Sequence, residues 1–282
     1  KQEYIHNGQG PQPFFWRAPT DNDYGAKLPT RLKAWREASY QTPKAESFNV
    51  SKDGDKSIVK VTYRFPQVDA QWEITYKVFA NGIIKVDNRF VAEGTETPMI
   101  PRVGLRMQLS EILNDLTYYG RGPEENYRDR RTSQFIGEYT TPIKDLYEPY
   151  IRPQENEHRT DIYWCALTTK QKAGLLFIAD RTFELNASNY LLGSLDSGET
   201  INNGAPRTNE TNHRHLTDPQ PVKQVDMFID YRMMGVGGDN SWGAIAHEPY
   251  LIRPGVENTI EYGFSIVPFD KKADYKNLIY QY

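Results

Sequence analysis

The segment with the most distinctive chemistry is RMMGVGGDNSWG, residues 232–243. Its closely spaced glycines permit positive φ and close backbone approach, which predicts a stiff loop that presents Trp242: Gly235, Gly237 and Gly238. An exposed indole stacks on the apolar face of a sugar ring, while carboxylates and amides such as Asp239 and Asn240 bind the sugar hydroxyls. The alternative is that Trp242 closes an edge of the core, because tryptophan is often largely buried.

Two other polar segments place a carboxylate beside an amide. Glu124 and Asn126 follow a Gly-Arg-Gly-Pro turn, and Glu155 and Asn156 follow Pro153. Carboxylates and amides bind sugar hydroxyls, so these residues are predicted to line a polar cleft between loops. The alternative is that the carboxylates form ion pairs with the many nearby arginines and only stiffen the loops.

Histidines and aspartates form two further pairs. His213 and His215 would lie on one face of a strand, where they could ligate a metal, relay protons or form a structural pair. Asp21 and Asp23 could coordinate a cation or act as turn formers after a proline. Spacing marks no third ligand, so no metal site is predicted. The sequence also lacks motifs for phosphate binding, a serine nucleophile or zinc hydrolysis.

The composition excludes several classes of partner. The 282 residues carry a net charge of -3 with 25% charged residues, which does not indicate a nucleic-acid-binding face. No apolar run is long enough to span a bilayer, and the start does not resemble a signal peptide, so no membrane partner is expected. The single cysteine, Cys165, lies in an apolar run and is predicted to be a buried thiol. These features leave the compartment open between the cytoplasm and the periplasm.

The elements that must position these residues are mainly strands. Period-two alternation begins after Pro43, and the polar turns DGD and ANG between alternating runs predict antiparallel hairpins. Only residues 28–38 show helical spacing, so one short helix is expected. Residues 118–159 are rich in proline and polar residues, which predicts a long functional loop. With no linker or internal repeat, residues 1–282 are predicted to form one all-β domain of mostly antiparallel sheets.

Five separated motifs carry a resemblance to a known family: FFWRAPTDNDYG, YYGRGPEENYRDR, YIRPQENEHRTD, TNHRHL and MGVGGDNSW, in this order. Together they resemble, over nearly the whole chain, the C-terminal domain of large β-galactosidases of glycoside hydrolase family two. The resemblance implies a β-supersandwich related to the galactose mutarotase fold, here lacking its first strand or two. It also implies that the catalytic glutamates lie in a TIM barrel elsewhere in the polypeptide, so no catalytic residue is expected in this domain.

The same resemblance implies a role for Trp242, which would reach into the neighbouring active site and line the pocket for a β-galactoside. The expected partners are the remaining domains of the polypeptide, in a full enzyme that forms a homo-oligomer. The family's magnesium and sodium ions belong to the barrel, so no cofactor is expected in this domain. The full enzyme is expected to hydrolyse terminal β-D-galactosides such as lactose, and the isolated domain is expected to be inactive.

Two alternative functions stay open. An independent aldose mutarotase-like epimerase would need an acid–base pair, such as Glu155 with His213 or His215. A free-standing carbohydrate-binding module would need only a sugar platform such as Trp242. Polarimetry of α-galactose tests the first alternative, and titration with galactose or lactose tests the second.

Overall fold

The computed structural model describes residues 3–92, 98–196, 215–240, 243–256 and 258–281. The strands are β1 (Gln12–Phe14), β2 (Ala45–Asp53), β3 (Lys56–Phe65), β4 (Ala70–Val78), β5 (Ile84–Ala92), β6 (Arg102–Ser110), β7 (Asp115–Gly122), β8 (Phe135–Pro142), β9 (Arg159–Thr168), β10 (Gly174–Ser188), β11 (Gln224–Met233) and β12 (Thr259–Phe269). The short α-helices are α1 (Asp21–Gly25), α2 (Leu28–Arg31), α3 (Lys33–Tyr40), α4 (Leu192–Leu195) and α5 (Tyr275–Leu278).

The hairpins form where turn residues interrupt the alternating pattern. Gly54, at a φ of 62°, and Asp55 join β2 to β3, and the loop between β4 and β5 contains Gly82 at a φ of 86°. Both glycines occupy the left-handed region that other residues avoid. All strand pairs among the described residues are antiparallel. The prediction of an all-β, mostly antiparallel domain is confirmed.

The strands form one continuous sheet that curls on itself. Its order is β1-β6-β11-β10-β12-β5-β4-β3-β2, and β9, β7 and β8 branch from β10. The strand β10 divides the sheet, because Gly174–Ala179 pair with β12 whereas Glu184–Ser188 pair with β11. A register shift in the pairing with β9, between Ile178 and Phe183, marks this division. The two wings of the sheet therefore enclose a common core.

Aromatic side chains fill the centre of that core. The ring centroid of Phe15, just after β1, lies 5.0 Å from that of Trp35 in α3 and 5.5 Å from those of Trp72 in β4 and Phe90 in β5. All four side chains are fully buried, and Trp72 Nε1 donates to Asn88 Oδ1 at 3.0 Å. Aromatic pairs at such separations add about 0.5–1.5 kcal/mol beyond burial of their area. The core thus joins the start of the chain to the β4–β5 hairpin.

The helix expected over residues 28–38 is divided into α2 and α3. Leu32 interrupts it with a φ of -110°, which leaves the helical region. Leu28, Leu32 and Trp35 nonetheless form the buried face that their spacing predicts. The predicted helix therefore lies in the expected part of the chain. The helices α1, α4 and α5 were not predicted, because they are too short to give a periodic pattern.

Helix α1 occupies the segment where a turn or a cation site was considered. Thr20 Oγ1 accepts the Asp23 N–H at 3.2 Å, and Asp23 Oδ2 accepts the Thr20 N–H at 3.0 Å. This reciprocal pair is a capping box that fixes the helix start. Asp23 also pairs with the guanidinium of Arg17 at 2.8 Å in a buried ion pair. The Asp23 carboxylate therefore stabilises the start of α1 and pairs with Arg17, and it is not a ligand for a metal ion.

Residues 118–159 are not one long loop. They contain the end of β7 and all of β8, so that the loops are 123–134 and 146–158. Strand β8, FIGEYTTP, lies at an edge of the sheet and is largely exposed, which explains why its polar sequence gives little strand signal.

Cys165 is a buried free thiol in β9, as predicted, and burial raises its pKa far above the ordinary value. Among the residues described, no helix has the length and apolar character needed to cross a membrane.

Candidate functional site

The glycine-rich loop follows β11 and is described from Met234 to Asn240 and again from Gly243; Ser241 and Trp242 lie outside the described residues. Of its described glycines, Gly243 alone has a positive φ, 122°. The other three lie close to neighbouring atoms, because an added Cβ would be 2.5 Å, 3.1 Å and 2.6 Å from its nearest neighbour: Gly235, Gly237 and Gly238. Of the two properties that glycine permits at these positions, the structure uses close approach and not positive φ.

Arg17 holds the carbonyl groups at the root of this loop. Its Nη1 donates to Met234 O at 2.5 Å and its Nη2 donates to Gly235 O at 3.0 Å. The same guanidinium makes two bonds to the Asp23 carboxylate, at 3.0 Å and 2.8 Å. Burial by itself would lower the pKa of Arg17, but Asp23 and more distant carboxylates outweigh this effect and raise it. Arg17 is therefore a permanent buried cation.

Asp129, in the loop 123–134, holds the amide groups of the same root. Its Oδ1 accepts the Val236 N–H at 3.1 Å and its Oδ2 accepts the Gly237 N–H at 2.8 Å. The preceding amide, at Gly235, donates to Tyr250 O at 2.8 Å. Side chains from two distant segments thus fix the path of the loop. At its tip, Asp239 and Asn240 are exposed, and Asp239 Oδ1 lies 2.9 Å from His247 Nε2: these residues form the accessible end.

A cleft of about 160 Å³ opens beside the loop root. It is lined by the start of α1, by the loops 123–134 and 146–158, and by the glycine-rich loop: Asn22, Tyr127, Arg130, Tyr150, Glu155 and Val236. The cleft therefore combines aromatic, amide and charged groups of the kind that bind sugars.

Glu125 joins the two loops that wall the cleft. Its Oε1 accepts from Arg130 Nη2 at 2.6 Å and from the Tyr150 hydroxyl. Its Oε2 accepts from the Glu157 N–H at 2.9 Å and from the Tyr127 hydroxyl at 3.3 Å. Because four donors surround this carboxylate, it orders the protein and is not free to bind a ligand.

A buried polar network lies behind the cleft. Arg102 Nη2 donates to Glu155 Oε1 at 3.2 Å and to Asn186 Oδ1 at 2.8 Å. His158 lies 2.7 Å from Asn186 Oδ1 through Nδ1 and 3.0 Å from Glu184 Oε2 through Nε2. Burial opposes charge on His158, but its hydrogen bond to Glu184 and the charge of Glu184 raise its pKa. Both ring nitrogens face acceptors, which fits a doubly protonated imidazolium.

Two buried carboxyl groups adjoin this network. Burial raises the pKa of Asp230 to about 7, although its Oδ2 lies 3.1 Å from Arg102 Nε. Burial also raises the pKa of Glu157 to about 8. Glu157 has a left-handed φ of 62°, and its Oε1 has no hydrogen-bond partner. Both carboxyl groups therefore change charge near neutral pH.

A larger groove of about 830 Å³ lies along β4, β5 and β12. Most of its charged residues pair with one another or with neighbours: for example, Asp87 lies 2.8 Å from Lys77 and Glu261 lies 3.5 Å from Arg89. Self-paired charges of this kind are typical of a solvated sheet face. The smaller cleft, where the predicted loops meet, is therefore the candidate site.

Sequence comparison assigns the chain to a family. The family described as "Beta galactosidase small chain" matches residues 1–266. The chain belongs to this family. Beta-galactosidase of Priestia megaterium is 33% identical over 243 residues, which are 86% of this chain and 22% of that protein. Beta-galactosidase of Streptococcus thermophilus is 31% identical over 89% of this chain and 23% of its own length. The chain thus spans less than a quarter of these two relatives.

Structural comparison adds little to this assignment. A GalM/aldose epimerase homologue from C. elegans aligns with 79% of this small-chain domain and 68% of its own chain, at a TM-score of 0.41 and 10% identity. A likeness at this level supports no inference about activity.

The predicted residues Glu124 and Asn126 have different environments in this small-chain domain. Glu124 is exposed, and its N–H donates to Gln134 Oε1 at 3.0 Å. Asn126 is fully buried; its Oδ1 accepts the Thr160 N–H at 3.0 Å and its Nδ2 donates to Arg121 O at 3.0 Å. The amide of Asn126 therefore holds the loop 123–134 against β9.

Glu155 and Asn156 also serve the scaffold. Both are buried, although Glu155 lines the cleft. Glu155 Oε2 accepts the Ala18 N–H at 3.1 Å, while its Oε1 faces Arg102. The Asn156 side chain bonds to both backbone groups of Glu148, at 2.9 Å and 2.6 Å. These contacts agree with the alternative in which such residues stiffen the loops.

Of the two predicted histidines, the structure describes His215, which does not line the cleft. His213 lies outside the described residues; His215 is exposed, and its N–H donates to Asp218 Oδ2 at 3.0 Å. The described residues contain no group of three or more His, Cys, Asp or Glu side chains that could hold a metal ion. Sequence reasoning missed Arg17, Asp129 and His158, although each lies in or beside one of the five motifs.

Proposed function

We propose that this chain is the small-chain domain of an enzyme that hydrolyses terminal β-D-galactosides such as lactose. Family membership supports this proposal, as does the coverage of less than a quarter of relatives named beta-galactosidase. Hydrolysis of a glycosidic bond needs two carboxyl groups placed across that bond. We assign these groups, and any magnesium or sodium ion, to the remaining domains of the polypeptide, in an enzyme that forms a homo-oligomer. No catalytic residue or cofactor is assigned to this domain.

We further propose that the domain contributes the glycine-rich loop to the sugar-binding site, with Trp242 as the stacking platform. The observation that carries this proposal is the fixation of the loop root: Arg17 holds two carbonyl groups and Asp129 holds two amides. Such a root presents the tip at low cost in conformational entropy when a ligand binds. Asp239 and Asn240, three and two positions before Trp242 in the sequence, are exposed and are the proposed partners of sugar hydroxyls.

The size of the cleft supports a site shared with another domain. Ligand pockets usually enclose about 300–1,000 Å³, whereas this cleft has about 160 Å³. The exposed Glu124 stays a proposed contact, while Asn126, Glu155 and Asn156 would act by holding the loops. An independent epimerase is less well supported, because donors already occupy both oxygens of Glu155, its proposed acid or base.

The test is Trp242→Ala in the full-length enzyme. Loss of one stacking contact of about 1–2 kcal/mol should raise the Michaelis constant roughly five- to thirty-fold. The melting temperature should hardly change, because an exposed platform leaves no cavity. Trp72→Ala is the matched control, since Trp72 is a fully buried indole. A large fall in melting temperature with unchanged kinetics for Trp242→Ala would make Trp242 a core residue.

A further inference from the structure

We infer that Asp129 is a positioning residue, which sets the place of the glycine-rich loop, Met234–Asn240, from the neighbouring loop 123–134. The inference rests on the proposed function, because it assigns that loop a role in sugar binding. Its basis is the pair of bonds from one carboxylate to the Val236 and Gly237 amides. Among the described bonds at the loop root, these are the ones that come from the β7–β8 connection.

Asp129 is itself held in a fixed position. The backbones of Tyr127 and Arg130 bond to each other in both directions, at 3.1 Å and 2.7 Å, so Asp129 lies within a closed turn. Tyr127 is buried and stacks on His158 with 5.3 Å between ring centroids. Asn126 fastens the start of the same turn to β9. Because this turn is fixed, the Asp129 carboxylate holds the Val236 and Gly237 amides at a set position relative to loop 123–134.

The glycines of the loop match this carboxylate. A Cβ added at Gly235 would lie 2.5 Å from Asp129 Oδ2, and one added at Gly237 would lie 3.1 Å from the same atom. No residue other than Asp129 lies within 4 Å of a Cβ added at Gly237. Because neither residue has a positive φ, the close approach of Asp129 accounts for glycine at position 237. The glycines of the loop therefore leave room for the Asp129 carboxylate that binds the loop amides.

The two loops also line the same cleft. Tyr127 and Arg130 flank Asp129, and Val236 is the residue whose amide it binds; all three line the cleft. Asp129 thus fixes the spacing between two walls of the proposed sugar site. A change at Asp129 should weaken sugar binding without touching the carboxyl groups that cleave the bond, so the Michaelis constant should change more than kcat.

The experiment compares Asp129→Asn and Asp129→Ala in the full-length enzyme with a matched control. Asp53→Ala removes an exposed carboxylate that pairs with Lys56 at the β2–β3 turn, and Asp53 has no described contact with the cleft, with loop 123–134 or with the glycine-rich loop. We expect Asp129→Ala to raise the Michaelis constant for nitrophenyl galactoside about five-fold or more, and Asp129→Asn to have a smaller effect, because its one carbonyl oxygen still accepts a bond. Asp53→Ala should leave this constant unchanged.

A double-mutant cycle with Trp242→Ala separates the inference from the proposed function. If Asp129 acts through the loop, Asp129→Ala should add little once Trp242 is absent. An unchanged Michaelis constant for Asp129→Ala and Asp129→Asn, or effects that simply multiply in the cycle, would overturn the inference. If Trp242→Ala alone has no effect, the proposed function fails. Hydrogen exchange of residues 234–240 in the full-length enzyme then decides the positioning role: faster exchange in Asp129→Asn supports it, and unchanged exchange refutes it.

Discussion

Replacement of Glu157 by Gln tests whether a buried carboxyl makes the stability of this domain sensitive to pH. The Glu157 side chain is 1% exposed, its Oε1 has no hydrogen-bond partner, and burial raises its pKa to about 8 from the ordinary 4.5. A carboxyl with a raised folded-state pKa favours folding fully below pH 4.5. That contribution is lost as the pH rises through the folded-state pKa near 8. Gln has the same shape and does not ionise.

The expected magnitude follows from the distance between the two pKa values. Each pH unit contributes about 1.4 kcal/mol, so the interval from 4.5 to 8 amounts to about 5 kcal/mol. The difference in unfolding free energy between Glu157→Gln and the parent should therefore shift in favour of Gln across this interval and then level off. The raised pKa values of Asp230 and His158 act in the same direction, but they are common to both proteins.

Urea unfolding at a series of pH values between about 5 and 9 measures this difference. Glu111→Gln is the control, because Glu111 is an exposed carboxylate whose charge contributes little to folding. The control should follow the parent curve. Equal pH dependence of the parent and Glu157→Gln would refute the reasoning, because it would mean that Glu157 ionises as easily in the folded state as in the unfolded chain.

Two further predictions concern stability. Trp72→Ala should lower the unfolding free energy by about 3–5 kcal/mol, since Trp72 is fully buried. Phe48→Ala should lower it by less than about 1 kcal/mol, because the Phe48 side chain is 64% exposed. Equal effects of the two variants in denaturant titrations would contradict this prediction. Gly104→Ala should be strongly destabilising, because its Cβ would lie 1.7 Å from Asp230 Oδ1. Gly10→Ala is the control, because a Cβ at position 10 has no atom within 4 Å. Equal melting temperatures of the two variants would refute this prediction.

The strand pattern could be predicted from sequence because one physical rule generates it. Alternation places Trp72 and Ile74 in the core and puts polar residues between them, and DGD and ANG supply residues that tolerate the left-handed turns. Helix α1 could not be predicted in this way, because its five residues carry no apolar period. Its stability comes from the capping box and from the ion pair between Asp23 and Arg17. The ion pair is a contact with a residue outside α1, so the sequence of the helix alone does not reveal it.

The candidate site was predicted by location more than by role. Sequence identified the loops around Glu124, Glu155 and Asp239, which the fold places near one cleft or at the tip of the loop beside it. It could not distinguish a carboxylate that faces solvent from one surrounded by donors. Glu155 accepts bonds on both oxygens and is buried, whereas Asp239 is exposed. Only packing decides between these roles, because the residue types are the same.

The glycine-rich loop illustrates why such roles depend on distant residues. Glycine is favoured at position 237 because the carboxylate of Asp129, 108 residues away in sequence, binds its amide and would crowd an added Cβ at 3.1 Å. A glycine read alone suggests backbone freedom, but here it marks a contact that restricts the backbone. The two residues therefore have to be considered together. An Ala at position 237 should disturb the loop in the parent and be better tolerated in the Asp129→Ala background, since the described atom that its Cβ would crowd would then be absent.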